Sequence, residues 1–389
     1  MKTFELIATS TFGLESVVKK EIEDLGYDIT SVTDGKITYV GDAEAIVLSN
    51  LWLRSADRVL IKMGEFKALT FDSLFEQVKV LPWENWITSD AKFTVNGKSV
   101  KSALFSISDC QAIVKKAVVT RLQQKYNIDW FEETGPSYTI QVSLLKDMAT
   151  LTIDTTGKEG LHKRGYRVGQ GDAPIKETLA AALIQISYWQ KGRIFYDPCC
   201  GSGTFAIETA LIAKNIAPGL YRSFASSRWP QVPPDLWEDL REEAREQIDQ
   251  KGSPIIYASD INRNSINIAR KNAECAGVGE YIQFFTKPVH TTSLPHGDYG
   301  IVLCNPPYAE RMSEMHQVQK LHKDLKKLMD SNPTWSFYTI TPVESFETDF
   351  GKKANKNRKL FNGRIAVKFY QYFGPRPPKD GENFKEVPK

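Results

Sequence analysis

Cysteine is scarce. The 389 residues hold five, Cys110, Cys199, Cys200, Cys275 and Cys304. An odd, small number in so long a chain argues against a disulfide framework. No Cys-x-x-Cys pair offers the spacing of a structural zinc site. Histidine is equally sparse: His162, His290, His296, His316 and His322 are scattered, and none reads as a metal ligand or a catalytic base. The longest apolar run, 179–189, is interrupted by Gln185 and Ser187 and is too short to cross a bilayer. Met1-Lys2-Thr3-Phe4-Glu5 lacks the basic start and apolar core of a signal peptide. A cytoplasmic protein with reduced thiols is expected. Charge of one sign is lacking too, since 50 Lys and Arg face 47 Asp and Glu, a net of +3. No global field announces nucleic acid, so any basic binding surface must be local.

What is present is ordinary for a folded protein, 41% hydrophobic and 25% charged residues, which excludes a disordered or fibrous chain. The length suggests two or three domains. In the N-terminal part, strands are expected at 4–8, 36–40 and 59–66 and helices at 13–25 and 43–53. Short units of this kind suit a small α+β module. A second unit follows, with helices at 71–80 and 109–126 and strands at 92–95, 138–145 and 149–154. The first of these strands is expected to stop at Asn96-Gly97, a strong turn signal. Between 98 and 125, Lys98, Lys101, Lys115, Lys116, Arg121 and Lys125 face a single acid, Asp109. Such a face can follow a phosphate backbone or simply be solvated. From residue 192 the rhythm lengthens. Strands at 194–199, 255–259, 282–285, 299–304 and 335–341 alternate with helices at 204–215, 264–276 and 318–329, the pattern of a doubly wound parallel sheet. Asn362-Gly363 between two apolar runs signals a terminal antiparallel hairpin. The segment 235–251 carries seven acids and reads as a solvated surface helix.

Three strand ends carry chemistry. Asp197-Pro198-Cys199-Cys200-Gly201-Ser202-Gly203-Thr204 closes the first strand of the α/β part and opens a helix, where open sheets bind ligands. The third residue after Gly203 is Ala206, and no Gly-Lys-Ser/Thr follows, so neither the dinucleotide nor the nucleoside triphosphate loop is matched. An acid just before the glycines suits a cationic or amine-bearing ligand. Asp260 ends the next strand, where a carboxylate accepts both ribose hydroxyls or caps the following helix. Together they imply a nucleoside without phosphates, which S-adenosylmethionine fits. Asn305-Pro306-Pro307-Tyr308 follows the apolar run Ile301-Val302-Leu303-Cys304. The prolines stiffen the loop and aim the Asn305 side-chain carbonyl and the Pro306 backbone carbonyl at one point. Two such acceptors can hold an exocyclic aryl amine with its lone pair turned to a methyl donor, and the Tyr308 ring can stack on the base.

Asp-Pro-x-Cys-Gly-Ser-Gly-Thr together with Asn-Pro-Pro-Tyr resembles the class I amino-methyltransferases. His162-Lys163-Arg164-Gly165-Tyr166-Arg167, then Ala173-Pro174-Ile175-Lys176-Glu177-Thr178-Leu179-Ala180-Ala181, and Ala309-Glu310-Arg311 after Tyr308 narrow the resemblance. From about residue 1 to 375 the chain resembles bacterial THUMP-domain RNA methyltransferases, the guanine-N2 methyltransferase of large-subunit (23S) ribosomal RNA and its single-module Gram-positive counterparts. The resemblance implies an α/β fold, a Rossmann-like seven-stranded class I methyltransferase sheet with an antiparallel terminal hairpin, preceded by α+β ferredoxin-like and THUMP modules. It implies a ferredoxin-like module over 1–66, a THUMP domain over 67–157, a linker and helix over 158–191, the methyltransferase domain over 192–375 and a flexible tail over 376–389. Asp197, Gly201, Ser202, Gly203 and Thr204 would line S-adenosylmethionine, with Asp260 and Ile261 at its nucleoside and Lys176 and Glu177 near its methionine end. Asn305, Pro306 and Tyr308 would be catalytic. Lys98, Lys101, Lys115, Lys116, Arg311 and Arg364 would contact RNA. Relatives place an Asp after the third strand to contact adenine, whereas this chain has Pro288 there, in Thr286-Lys287-Pro288. The basic stretch 352–379, with nine Lys or Arg and no acid, suits an RNA backbone or a protected edge strand.

The expected reaction is methylation of a guanosine N2 amine in 23S ribosomal RNA, with no metal and no membrane. An adenine-N6 methyltransferase acting on DNA or RNA, and a guanine-N2 methyltransferase acting on tRNA, share the amine chemistry. A carbon-5 methyltransferase needs a cysteine nucleophile where this chain has Tyr308, and a non-catalytic RNA-binding protein would not need both loops intact.

Overall fold

The computed structural model describes residues 3–169, 174–252, 254–308 and 312–378. The chain forms two compact units. One takes the chain up to Ser10 with Val18–Leu161 and Arg222–Glu243; the other takes Thr11–Val17, His162–Tyr221 and the chain from Ala244 on.

The first unit is built on β1 (Phe4–Thr9), α1 (Glu15–Asp24), β2 (Ile29–Thr33), β3 (Lys36–Gly41), α2 (Ala43–Trp52), β4 (Arg58–Lys67), α3 (Phe71–Lys79), β5 (Lys92–Val100), α4 (Ile107–Tyr126), β6 (Ser137–Leu145) and β7 (Met148–Asp154). Its seven strands form one sheet in the order β2-β3-β1-β4-β7-β6-β5. The ten-residue β4 is shared. Its first half pairs with β1 and most of its length with β7, with a register shift between Lys62 and Gly64. Glycine is needed at that irregularity, since a Cβ on Gly64 would lie 2.7 Å from Leu81 Cδ2. β2 carries no sequence signal because nearly all of it is exposed at the sheet edge.

One expectation is overturned. β5 does not stop at Asn96-Gly97 but runs through it to Val100, paired in parallel with β6 over nine residues. The glycine serves packing instead of a turn. A Cβ there would lie 3.1 Å from Gln111 Cγ and 3.2 Å from Ile107 Cγ2, so its absence lets α4 lie close on the strand. The turn after β6 is as expected, with Lys146 and Asp147 at φ 50° and 67°, the positive pair a tight hairpin requires.

Not all of the bases between 98 and 125 serve a free surface. Arg121 forks onto Glu84, Nη2 to Oε1 at 2.6 Å and Nε to Oε2 at 3.1 Å, and Lys125 lies 3.4 Å from the same carboxylate. The Arg121 hydrogen bond draws the Glu84 carboxyl down to about 2. A depressed carboxyl adds stability that is present above its unfolded value of about 4.3 and lost as pH falls toward the folded one. Glu84→Gln should therefore lower the urea midpoint near neutral pH, with the difference from wild type narrowing toward about pH 2.

The second unit holds α5 (Glu177–Ile186), β8 (Phe195–Asp197), α6 (Thr204–Ala213), β9 (Ile256–Asp260), α8 (Arg263–Cys275), β10 (Ile282–Thr286), β11 (Ile301–Cys304), α9 (Met312–Asp330), β12 (Ser336–Thr341), α10 (Phe346–Phe350), β13 (Lys356–Asn362) and β14 (Ile365–Tyr372), with α7 (Pro234–Glu246) lying between α6 and β9 in the chain. Its sheet order is β10-β9-β8-β11-β12-β14-β13. The first five strands are parallel, and β14 runs antiparallel to both its neighbours. Alternation along each strand divides the side chains between two cores. Phe195, Ile301 and Leu303 pack with Leu179, Phe205 and Ile266 of the helices on one face, and Tyr196, Val302 and Cys304 with Leu325, Leu328 and Phe346 on the other. A sheet covered on both faces explains why its strands read as continuous apolar runs. The expected hairpin is present, Asn362 pairing with Ile365 across Gly363 at φ 63°. Helix α9 begins earlier than the span expected at 318–329.

The acidic helix α7 is not solvated all round, which corrects the expectation for 235–251. Trp237 is 3% exposed and stacks on Phe224 with centroids 5.2 Å apart, and Leu240 is buried beside them in the first unit's core. The acids occupy the opposite side of an amphipathic helix, whose apolar spacing is obscured by the number of charges. From 379 on, the expected tail lies outside the described residues.

Candidate active site

Successive strands lie on one side of β8 in the order β9, β10, and then on the other as β11, β12. This reversal is a topological switch point, and open α/β sheets bind ligands at the carboxyl ends of the strands beside it. The expected glycine loop leaves β8 there, Asp260 ends β9, and Asn305 follows β11.

Asp197 is 1% exposed and accepts the Cys199 N–H at 3.0 Å. Burial pushes its carboxyl well above the ordinary range, and the charge of Asp260 adds to the shift. Gly203 has φ 86°, and a Cβ there would lie 3.0 Å from the Ala269 Cβ, so this glycine lets the start of α6 pass against α8. Gly201, at φ 51°, faces open space. Its N–H donates to Asp260 Oδ2 at 3.0 Å, and the Asn262 N–H donates to Oδ1 at 2.8 Å. The cap of α8 is Asn262, whose side chain accepts the N–H groups of Asn264 and Ser265. Asp260 is thus released from the capping role that the sequence left open. Beside it, Ile261 is 72% exposed.

Sequence reasoning missed the residue that ties these parts together. Arg167 donates to Glu177 Oε1 at 2.8 Å, to the hydroxyls of Ser202 and Thr204 at 3.0 Å each, and to the Ile175 carbonyl at 3.2 Å. One guanidinium joins the first turn of α5 to the glycine loop. The only hint in the sequence is that Glu177, buried at a helix start, needs a cationic partner. Asn272, fully buried, acts alongside. It accepts the Val168 N–H at 2.9 Å and donates to the Ser202 carbonyl at 3.0 Å. Because lysine cannot reproduce a planar fork, Arg167→Lys should loosen the loop. Calorimetry with S-adenosylmethionine should show affinity lower by about 10-fold, the equivalent of roughly one charge-assisted hydrogen bond.

At the end of β11, Asn305 is half-buried, Pro306 buried and Pro307 exposed. The Tyr308 hydroxyl donates to Asn305 Oδ1 at 2.8 Å, while its ring packs against the core. Burial raises the Tyr308 phenol above its ordinary range, so it keeps its proton and remains a donor. The backbone N–H of Lys176 donates to Asn362 Oδ1 at 3.3 Å. Cys304 is fully buried, its sulfur 3.5 Å from the Thr339 hydroxyl, so it offers no nucleophile at this site. The Lys287 N–H donates to the Asp260 carbonyl at 3.0 Å, and its ammonium lies 5.0 Å from the Phe285 ring centroid.

Of the bases expected to meet RNA, Lys98 lies on β5, Lys101 just after it, and Lys115 and Lys116 on α4. The last two lie over the Phe93 and Phe75 rings. Lys98 and Lys62 also act on the half-buried Lys36, whose ammonium is shifted down first by burial and then by its two cationic neighbours. That grouping joins three strands and leaves no mark in the linear sequence. Arg364 is exposed in the loop of the terminal hairpin. Arg311 lies outside the described residues. Among the described residues, no helix is long and apolar enough to cross a membrane.

Comparison with known proteins covers almost the whole chain. Residues 5–60 match an RlmL ferredoxin-like domain, 68–154 a THUMP domain, and 164–371 an RMKL-like methyltransferase domain. The Bacillus subtilis (strain 168) protein named "Putative RNA methyltransferase YpsC" is 49% identical over 383 residues, 97% of this chain and 98% of its own length. The crystal structure of "a predicted N6-adenine-specific DNA methylase" from Listeria monocytogenes str. 4b F2365 is 49% identical, with a TM-score of 0.91 over 96% of this chain and 97% of that one. SMU.472, described as "a putative methyltransferase complexed with SAH", is 42% identical, with a TM-score of 0.90 over 97% of this chain and 100% of that one. With its domain matches in this order, its parallel sheet turning at β8 and its loops gathered at that turn, the chain belongs to the RMKL-like methyltransferase family.

Proposed function

We propose that this protein is an S-adenosylmethionine-dependent RNA methyltransferase that modifies the exocyclic N2 amine of a guanosine in 23S ribosomal RNA. The carrying observation is the placement of Asn305 after β11, on the strand paired with β8, whose glycine loop is tied to Asp260. The donor set fits the cofactor. Asp260 would hold the ribose hydroxyls and Ile261 would cover the adenine. Asp197, Gly201, Ser202, Gly203 and Thr204 would line the pocket, with Lys176 and Glu177 at the methionine end. An open Gly201, an exposed Ile261 and acids in place of phosphate-binding bases suit a cationic nucleoside. When bound, the cofactor supplies an electrophilic methyl group on a positively charged sulfur.

The chain's own residues do the positioning. Asn305 Oδ1 and the Pro306 carbonyl accept the two N–H groups of the amine and turn its lone pair toward the methyl carbon. As the nitrogen–carbon bond forms and the carbon–sulfur bond breaks, the two carbonyl dipoles stabilise the positive charge growing on nitrogen. The amine then loses a proton to solvent and the sulfur keeps the electron pair. No strong base is required, which agrees with a site built from amides and carbonyls.

The THUMP match and the lysines at 98, 101, 115 and 116 support RNA as the substrate, delivered by the modules over 1–66 and 67–157 to catalysis over 192–375. Arg364 and Arg311 would steady the backbone near the site. The test is mass-spectrometric nucleoside analysis of a deletion strain. Loss of N2-methylguanosine from 23S RNA is expected. Its loss from tRNA alone moves the substrate to tRNA, and loss of N6-methyladenine from DNA with RNA unchanged overturns the proposal.

A further inference from the structure

The terminal hairpin contributes one side chain to the neighbourhood of the amine clamp. Asn362 is the last residue of β13 and only 8% exposed, while its neighbours Phe361, Gly363 and Arg364 are exposed. Its amide is fully engaged. Oδ1 accepts the Lys176 N–H at 3.3 Å, and Nδ2 donates to the Pro174 carbonyl at 3.4 Å. The same amide lies in hydrogen-bonding range of the Tyr308 hydroxyl, which itself donates to Asn305 Oδ1 at 2.8 Å.

Counting protons gives this arrangement a direction. A carboxamide has two N–H donors and a phenol has one O–H. With one Asn362 N–H on Pro174, the second is free to donate to the phenol oxygen. The phenol proton must then point the other way, to Asn305.

We propose that Asn362 is a positioning residue for methyl transfer. In the relay from Asn362 Nδ2–H to the Tyr308 oxygen, and from the Tyr308 O–H to Asn305 Oδ1, the Asn305 amide is fixed with its oxygen toward Tyr308. One lone pair of Oδ1 takes the tyrosine proton and the other is left for the substrate amine. An Asn305 amide turned over would present N–H groups to the amine, donor against donor, and the clamp would fail. The inference rests on the reading of Asn305 as an acceptor for the amine.

Asn362→Asp tests the relay, because it keeps the size and reverses the polarity of the side chain. The introduced carboxylate accepts the Tyr308 proton and removes it from Asn305. We expect the single-turnover methyl-transfer rate to fall about 10- to 100-fold, the range found when groups that orient a functional residue are lost. S-adenosylmethionine affinity and the KM for RNA should stay within about 2-fold. Lowering the pH should restore part of the N362D rate relative to wild type, because the protonated carboxyl can donate again, and a merely structural defect would not recover. Tyr308→Phe should show a similar fall, and the N362D/Y308F double variant no further one, since coupled residues are non-additive. An unchanged N362D rate, or losses that multiply in the double variant, overturns the relay. If N362D does not fold, Y308F alone decides: wild-type turnover at unchanged RNA affinity refutes it. Asn305→Ala separates the two levels. Loss in N305A with none in N362D and Y308F sinks the relay alone, whereas activity in N305A sinks the clamp beneath it.

Discussion

Asn305→Ala should leave S-adenosylmethionine binding unchanged and reduce single-turnover methyl transfer by roughly 1,000-fold. The magnitude follows from loss of a preorganised dipole aimed at a developing charge, where one removed group costs about 100- to 1,000-fold, together with lost orientation of the lone pair. Nothing in the fold depends on this side chain beyond the Tyr308 hydroxyl bond, and the flanking prolines keep the loop. A quench-flow assay with saturating cofactor isolates the chemical step. Undiminished activity would remove the amine clamp from the mechanism.

The second large effect is on the cofactor. Asp260→Ala should weaken S-adenosylmethionine binding by about 100-fold, as expected when a carboxylate that takes charge-assisted hydrogen bonds is removed. Two losses combine. The ribose hydroxyls lose their acceptor, and the Gly201 and Asn262 N–H groups lose the oxygens that hold the glycine loop to the end of β9. Asp260→Asn should be milder, because its carbonyl can still accept one of these. Calorimetry is the measurement, and an unchanged affinity in the alanine variant would refute the ribose assignment. The contrast between the two variants matters more than either alone: one should lose rate at constant affinity, the other affinity first.

The parts of the site legible in the sequence are those whose chemistry is local. Gly201, Gly203, Pro306 and Pro307 punctuate strand ends, and Asn362-Gly363 marks a hairpin, so their positions follow from turn chemistry alone. Arg167 was invisible because its four partners at 175, 177, 202 and 204 converge only after folding. The capping ambiguity at Asp260 was resolved by a residue two places on, Asn262, which no pattern favoured over it. Asn96-Gly97 shows the opposite failure, a strong local signal overruled by a long parallel ladder and a helix packed on the glycine. The buried face of α7 was hidden by seven acids that outnumber its apolar residues. Most strand ends were placed within a residue or two, but no periodicity shows that β4 serves two sets of partners.

That shared strand limits how the N-terminal half can be divided. A fragment beginning at residue 67 would retain β5, β6 and β7 yet lose the strand to which β7 is bonded from Leu60 to Lys67. Its β7 would become a bare edge of seven residues, six of them buried in the intact sheet, with an open row of N–H and C=O groups. Such an edge recruits other chains. The ferredoxin-like portion cut at 66 would carry the complementary hazard on β4. The two portions are therefore one unit of inheritance in practice: a swap of RNA-recognition parts between relatives should exchange both together, with the joint placed outside the β1–β7 sheet.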